Sequence, residues 1–168
     1  MTISLPGDAL VLLIGASGAG KSTFATRHFQ PTEVLSSDQM RGMVADDPRD
    51  QAATEAAFEL LHTALSLRLA RRRLTVVDAT NVEHWARQRP LAIARRFGRP
   101  AVAIVLAMPL AVCLARNLAR DDPRPAATIR RQHRLMRDVI ESLPGEGFAS
   151  IWPLTSEAEV SAAGLVRG

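Results

Sequence analysis

The chain has 168 residues, 47% apolar and 23% charged, a balance suited to one folded domain over 1–168 rather than to a disordered chain. Its single cysteine, Cys113, excludes an internal disulfide, and no apolar run approaches the length of a helical membrane span, so the cytoplasm is the expected compartment. The net charge of +4 divides into −2 over residues 1–84 and +6 over 85–168, which suggests a polyanionic partner or, alternatively, an arginine-rich solvated surface.

In chain order, a buried apolar run at 9–14 predicts a first strand, and a helical pattern follows at 21–29. Between them lies Gly15-Ala16-Ser17-Gly18-Ala19-Gly20-Lys21-Ser22-Thr23, which fits G-x-x-x-x-G-K-[ST], the phosphate-binding P-loop, in the strand-then-helix context that motif requires. Lys21 is the only lysine in a chain whose other fixed cations are all arginines. A compact ammonium suits a tight phosphate cradle better than a planar fork. The glycines let the backbone approach an anion, amides from Ala16 to Lys21 point inward, Lys21 reaches the β- and γ-phosphates, and the Ser22 hydroxyl ligates Mg²⁺. A nucleoside triphosphate such as ATP is the implied ligand.

Pro31 closes the first helix, and 34–37 reads as a second strand leading to Asp38. Asp38 is a candidate general base for a hydroxyl acceptor, or equally a helix N-cap. Arg41, one turn on, either clamps a substrate phosphate or sits in water. A long helix is expected over 52–71 and a buried strand over 75–77. That strand runs into Asp78, in the style of a Walker B carboxylate that holds the metal through water. Asn81 either orients the following loop or is a turn residue. The next helix, 83–97, contains Pro90, expected to kink or restart it. Trp85 and Trp152 read as packing residues. A strand over 101–107 and a helix opened by Pro109 come next; Cys113 there reads as a core residue. A break at 121–125, a long helix over 128–143 and a strand near 151–152 complete the pattern.

Alternation of short apolar runs with helical stretches predicts an α/β fold: a three-layer P-loop NTPase architecture around a central parallel sheet. The P-loop, Asp38 and the Asp78–Asn81 loop then fall at carboxyl ends of strands, where such sheets bind ligands. Arg116 and Arg120, four apart and expected on one helix face, join Arg124, Arg130, Arg131, Arg134 and Arg137 in a basic region around the break. It reads as a helical lid over about 115–135, or as a solvated basic surface. With seven aromatics and no tyrosine, a broad stacking platform for single strands is not expected, so phosphate contacts should dominate any nucleic-acid binding. No histidine shows metal-ligand spacing.

The P-loop with Phe24-Ala25, Pro31-Thr32-Glu33-Val34, Ser36-Ser37-Asp38 with Arg41, Asp46-Asp47, Leu74 to Val82, Arg116-Asn117, Ile129 to His133 and Glu146-Gly147-Phe148 together resemble the kinase module of bacterial polynucleotide kinase–phosphatases, enzymes of RNA repair. The resemblance implies transfer of the γ-phosphate of ATP, or another nucleoside triphosphate, to a 5′-hydroxyl end of RNA or DNA. It implies that Lys21 and Ser22 hold donor phosphates and Mg²⁺, that Asp38 is the general base, and that Arg41 grips the acceptor phosphate. Arg116 and Arg120 would come from the lid to the donor. Such modules usually continue into phosphatase and ligase-like domains, so this chain reads either as a module from a longer parent chain or as a free-standing kinase; a ligase also needs a nucleophilic lysine, and Lys21 is committed to the P-loop. A small-metabolite kinase and a non-transferring nucleotide switch or ATPase are the alternative readings.

Overall fold

The computed structural model describes residues 1–168. Its central sheet has five strands, all parallel: β2 (Leu10–Ile14), β3 (Val34–Ser36), β4 (Thr75–Asp78), β5 (Ala101–Leu106) and β6 (Ser150–Leu154), in the order β3-β4-β2-β5-β6. From β2 the chain first builds one side of the sheet and later the other, so β2 sits at the switch point where open parallel sheets bind ligands. Leu13 of β2 and Ser36 of β3 both pair with Asp78, so these three strands finish level with one another.

Helices cover both faces, and the strand sequences show why. Along β2, Val11 and Leu13 enter one apolar cluster with Phe24, Ile104, Cys113 and Ile129, while Leu10, Leu12 and Ile14 enter the other with Leu61, Leu65, Leu91 and Met136. A strand buried on both faces reads as an unbroken apolar run rather than as an alternation. The first layer comprises α1 (Lys21–His28), α5 (Leu110–Leu118) and the start of α6 (Ala126–Ser142). The second comprises α3 (Thr54–Ala70), α4 (His84–Arg96) and the later turns of α6. This is the three-layer fold the sequence predicts.

Several details differ from the sequence reading. Ser37 is not strand; it opens α2 (Ser37–Ala45), capped by Ser36, whose hydroxyl accepts from the Gln39 amide at 3.4 Å. Asp38 is therefore inside the first turn of a helix, neither at the strand end nor the N-cap. Helix α4 runs unbroken through buried Pro90 instead of restarting there. Helix α5 ends at Leu118, so Arg116 and Arg120 do not share a helix face. A second sheet pairs β1 (Thr2–Leu5) with β7 (Gly164–Arg167) in parallel, and α7 (Glu157–Ala162) precedes β7. Ile3 and Leu5, on one face of β1, are fully buried in the first apolar cluster. No helix is long and apolar enough to cross a membrane.

Candidate active site

The P-loop follows β2 as a tight turn into α1. Gly20, at φ 97°, is the N-cap of that helix, and Gly18 has φ 81°. A Cβ on Gly18 would lie 2.3 Å from the Cys113 carbonyl oxygen, so the loop has space there for glycine alone. Its backbone is tied on three sides. The Gly15 amide donates to Thr80 O at 3.0 Å, the Ala19 amide to Ala16 O at 3.1 Å, and the Ser17 amide to Gln132 Oε1 at 2.9 Å. The amides of Gly18 and Gly20 have no partner in the protein. Together with the unpaired amides that open α1, they form the kind of positive cradle that receives an anion.

Lys21 is buried beneath this loop. Its Nζ donates to Gly15 O at 2.8 Å and Ala16 O at 2.9 Å. Burial lowers its pKa to about 8, with the carboxylates of Asp78 and Asp38 among the groups holding it up. Asp78, at the end of β4, is also buried; desolvation raises its pKa, opposed by the Ser22 hydroxyl and by Lys21. Ser22 and Asp78 thus form an all-oxygen donor pair beside the phosphate cradle. That set fits Mg²⁺, which takes one or two protein oxygens and completes its shell with phosphates and water. No group of three or more His, Cys, Asp or Glu side chains comes together elsewhere as a metal cage.

Asp38 lies on the β3 side of the same cleft. Its Oδ1 accepts from Arg41 Nη1 at 2.7 Å, and Arg124 Nη2 approaches Oδ1 at 3.2 Å and Oδ2 at 3.4 Å. Arg41 is buried and is itself aimed by Thr54, whose Oγ1 accepts from Nε at 3.2 Å. Arg124 is positioned by buried Asn117: the Asn117 Nδ2 donates to Arg124 O, and the Arg124 amide donates to Asn117 Oδ1, both at 2.9 Å. From the other direction Arg116 reaches the P-loop, donating to Ala19 O at 3.2 Å and to Glu157 Oε1 at 2.8 Å.

Lys21, Ser22, Asp38, Arg41, Asp78, Arg116, Arg120 and Arg124 all line one cleft of about 850 Å³, so the structure brings the sequence candidates together. Asn81 is a buried bracket: its Nδ2 donates to Leu13 O at 2.7 Å, fastening the loop after β4 to β2. Below it, Arg87 is almost fully buried, donates to the carbonyls of Asn81 (2.8 Å) and Val82 (3.0 Å), and pairs with Glu146 at 2.6 Å. Despite the desolvation that burial imposes, hydrogen bonds from Arg87, Ser142 and His84 hold the Glu146 carboxyl down to about 2.

Asn117 and Gln132 carry part of the family resemblance but no role in the sequence, and Arg87, Thr54 and the specific role of Arg124 are not singled out there. A usable signal existed for three of them: Gln132 falls on the apolar stripe Ile129, Met136, Val139, Asn117 stands four after Cys113, and Arg87 four before Leu91. Polar residues at inward positions are buried and must find partners. Trp85 is the opposite case. Expected to pack, it is 67% exposed and stands in the cleft wall.

Residues 10–143 match the protein family described as AAA domain. Among solved structures, a chain of the Pnkp1/Rnl/Hen1 RNA repair complex superposes with a TM-score of 0.69 at 21% identity, covering 84% of this chain and 47% of that one. The chain therefore spans about half the length of that relative. Shikimate kinase from Acinetobacter baumannii in complex with shikimate aligns at TM-score 0.52 and 18% identity, covering 90% of this chain and 87% of that one. The Mycobacterium tuberculosis APS kinase CysC in complex with AMPPNP and APS aligns at 0.56 and 18%, with 91% of each chain covered. No curated protein matches the chain in sequence. The common element is the P-loop kinase fold, with the nucleotide binding that fold implies.

Proposed function

The chain belongs to the AAA domain family, and from that premise we propose that it is a polynucleotide 5′-hydroxyl kinase, moving the γ-phosphate of ATP or another nucleoside triphosphate to the 5′-end of RNA or DNA. The observation that carries this reading is the carboxylate of Asp38 held by Arg41 and Arg124 in the same cleft as Lys21. A base needs a neighbouring anchor for the acceptor, and a buried arginine supplies one for a phosphate that a simple metabolite alcohol lacks.

In this mechanism the triphosphate lies along the P-loop, its β- and γ-oxygens on Lys21 and on the amides of Gly18, Gly20 and the first turn of α1. Ser17, Ala19 and Thr23 complete the walls of that cradle, and Gly15 sets its turn. Ser22, with Asp78 through water, would hold Mg²⁺, which supplies charge neutralisation between the phosphates. Arg41 turns from Asp38 to the first internucleotide phosphate, and Asp38 accepts the 5′-hydroxyl proton as that oxygen attacks in line. Arg116, with Arg120 nearby, neutralises charge on the transferring group, and the segment over about 115–135 acts as the lid that excludes water. Phosphatase and ligase-like partner domains fit a longer parent chain.

Incubation with γ-labelled ATP, Mg²⁺ and a 5′-hydroxyl oligonucleotide, beside shikimate-like, sugar and nucleoside acceptors, tests the reading. Label on the oligonucleotide supports it. Label only on a metabolite establishes a small-molecule kinase instead, and hydrolysis with no labelled acceptor establishes an ATPase.

A further inference from the structure

Two aromatic rings from α3 and α4 line the cleft, and one of them is uncovered. Phe58 of α3 is half-buried against His62, with ring centroids 5.9 Å apart. Trp85, the second residue of α4, is 67% exposed and lines the same cleft. Its location follows from a chain of contacts. Arg41 is bonded to Thr54, the first residue of α3. Glu59, five residues further along α3, is ion-paired with Arg89 of α4. Both helices start at the carboxyl edge of the sheet, so Trp85, one turn before Arg89, lies toward the Thr54 end of α3, in the cleft that Arg41 also lines. The donor side, marked by Arg116 and Glu157, is bonded to the P-loop at Ala19 instead.

An indole left this exposed forgoes the burial that normally places tryptophan in a core, and a cleft wall is where a flat ligand would supply it. We infer that Trp85 is the stacking platform for the base of the acceptor's 5′-terminal nucleotide. This rests on the kinase reading above: Arg41 takes the phosphate that follows that nucleotide, Asp38 faces its 5′-oxygen, and the base lies on the indole. Stacking accepts any base, since each has a π-face, so the site requires a base without selecting one.

A Trp152→Phe background leaves Trp85 as the only indole. Titration of that protein with a 5′-hydroxyl oligonucleotide is expected to quench its fluorescence, and titration with a nucleoside triphosphate alone is not. Trp85→Ala should raise the acceptor KM about tenfold, in the range that base–aromatic stacking yields, with a much smaller change in kcat and donor KM, and Trp85→Phe should recover most of the loss. An oligonucleotide whose 5′-terminal residue is abasic should lose the same factor with the wild type and nothing further with Trp85→Ala. Equal KM for intact and abasic acceptors, or quenching by triphosphate alone, overturns the inference while leaving oligonucleotide kinase activity intact. If the wild type labels no oligonucleotide, the kinase reading falls and this inference with it.

Discussion

Asp38 and Lys21 are neighbours in the field of the cleft, and each makes a measurable demand. As the proposed base, Asp38 acts only in the transition state, so Asp38→Asn should lower kcat by about 10²–10⁴-fold while triphosphate affinity stays within a few-fold. Loss of both in parallel would point to a structural role for the Arg41–Asp38–Arg124 bonds. Lys21 titrates near 8 because burial works against its charge. An ammonium is the form that binds phosphate, so triphosphate Kd should weaken as pH rises above about 8, and Lys21→Met should bind weakly with a flat profile. An unchanged Kd up to pH 10 would show that the loop amides alone hold the anion. Gly18 makes a steric demand. With φ at 81° and a carbonyl 2.3 Å from any added Cβ, Gly18→Ala should cost about 1–3 kcal/mol of stability or expel the loop from its position. An unshifted melting temperature with intact nucleotide binding would contradict this.

The helices carry polar side chains on faces that ought to be apolar, and these determine how the elements answer to acid. His62 of α3 is buried with neither ring nitrogen bonded, and desolvation, with Arg89 adding to it, lowers its pKa to about 4. The unfolded chain takes up that proton near pH 6.5 and the folded one does not, so stability falls as pH drops from about 6.5 to about 4. His62→Leu should flatten thermal stability across that interval; an identical slope in the variant would exclude His62 as its source. Glu146 extends the decline to lower pH. Its carboxyl is held near 2, so the stability it adds is complete above its unfolded pKa and drains away between about 4.5 and 2. Breaking that pair from the other side, with Arg87→Met, leaves a buried carboxylate beside the loop after β4 and should cost about 3–5 kcal/mol.

Over the whole molecule, charge and chain ends matter most. The C-terminal half supplies the excess of +6 and also Arg116, Arg120 and Arg124 at the cleft. An oligonucleotide held by several arginines should therefore lose affinity steeply between 50 and 200 mM salt. The acceptor KM should rise with salt much faster than the donor KM, and parallel slopes would favour a small acceptor. The β1–β7 pair joins the two ends of the chain, reinforced by Arg167, which pairs with Glu33 at 2.6 Å and lies 5.8 Å from the Phe29 ring.

What local sequence carries is period and motif. The unbroken runs at β2, β4 and β5, the G-x-x-x-x-G-K-S signature and the proline and glycine stops made the buried strands, the helices between them and the strand–loop–helix of the P-loop legible, because each depends on residues adjacent in the chain. Contacts between distant residues had to wait for the tertiary structure. Arg124 meets Asp38 across 86 positions and Gln132 meets Ser17 across 115; β1 becomes a strand only because β7 lies beside it. Trp85 is on the cleft wall rather than in the core because α4 is rotated to bury Arg87, Leu91 and Ala94. No spacing rule encodes such pairings, since their partners are set by how whole layers pack.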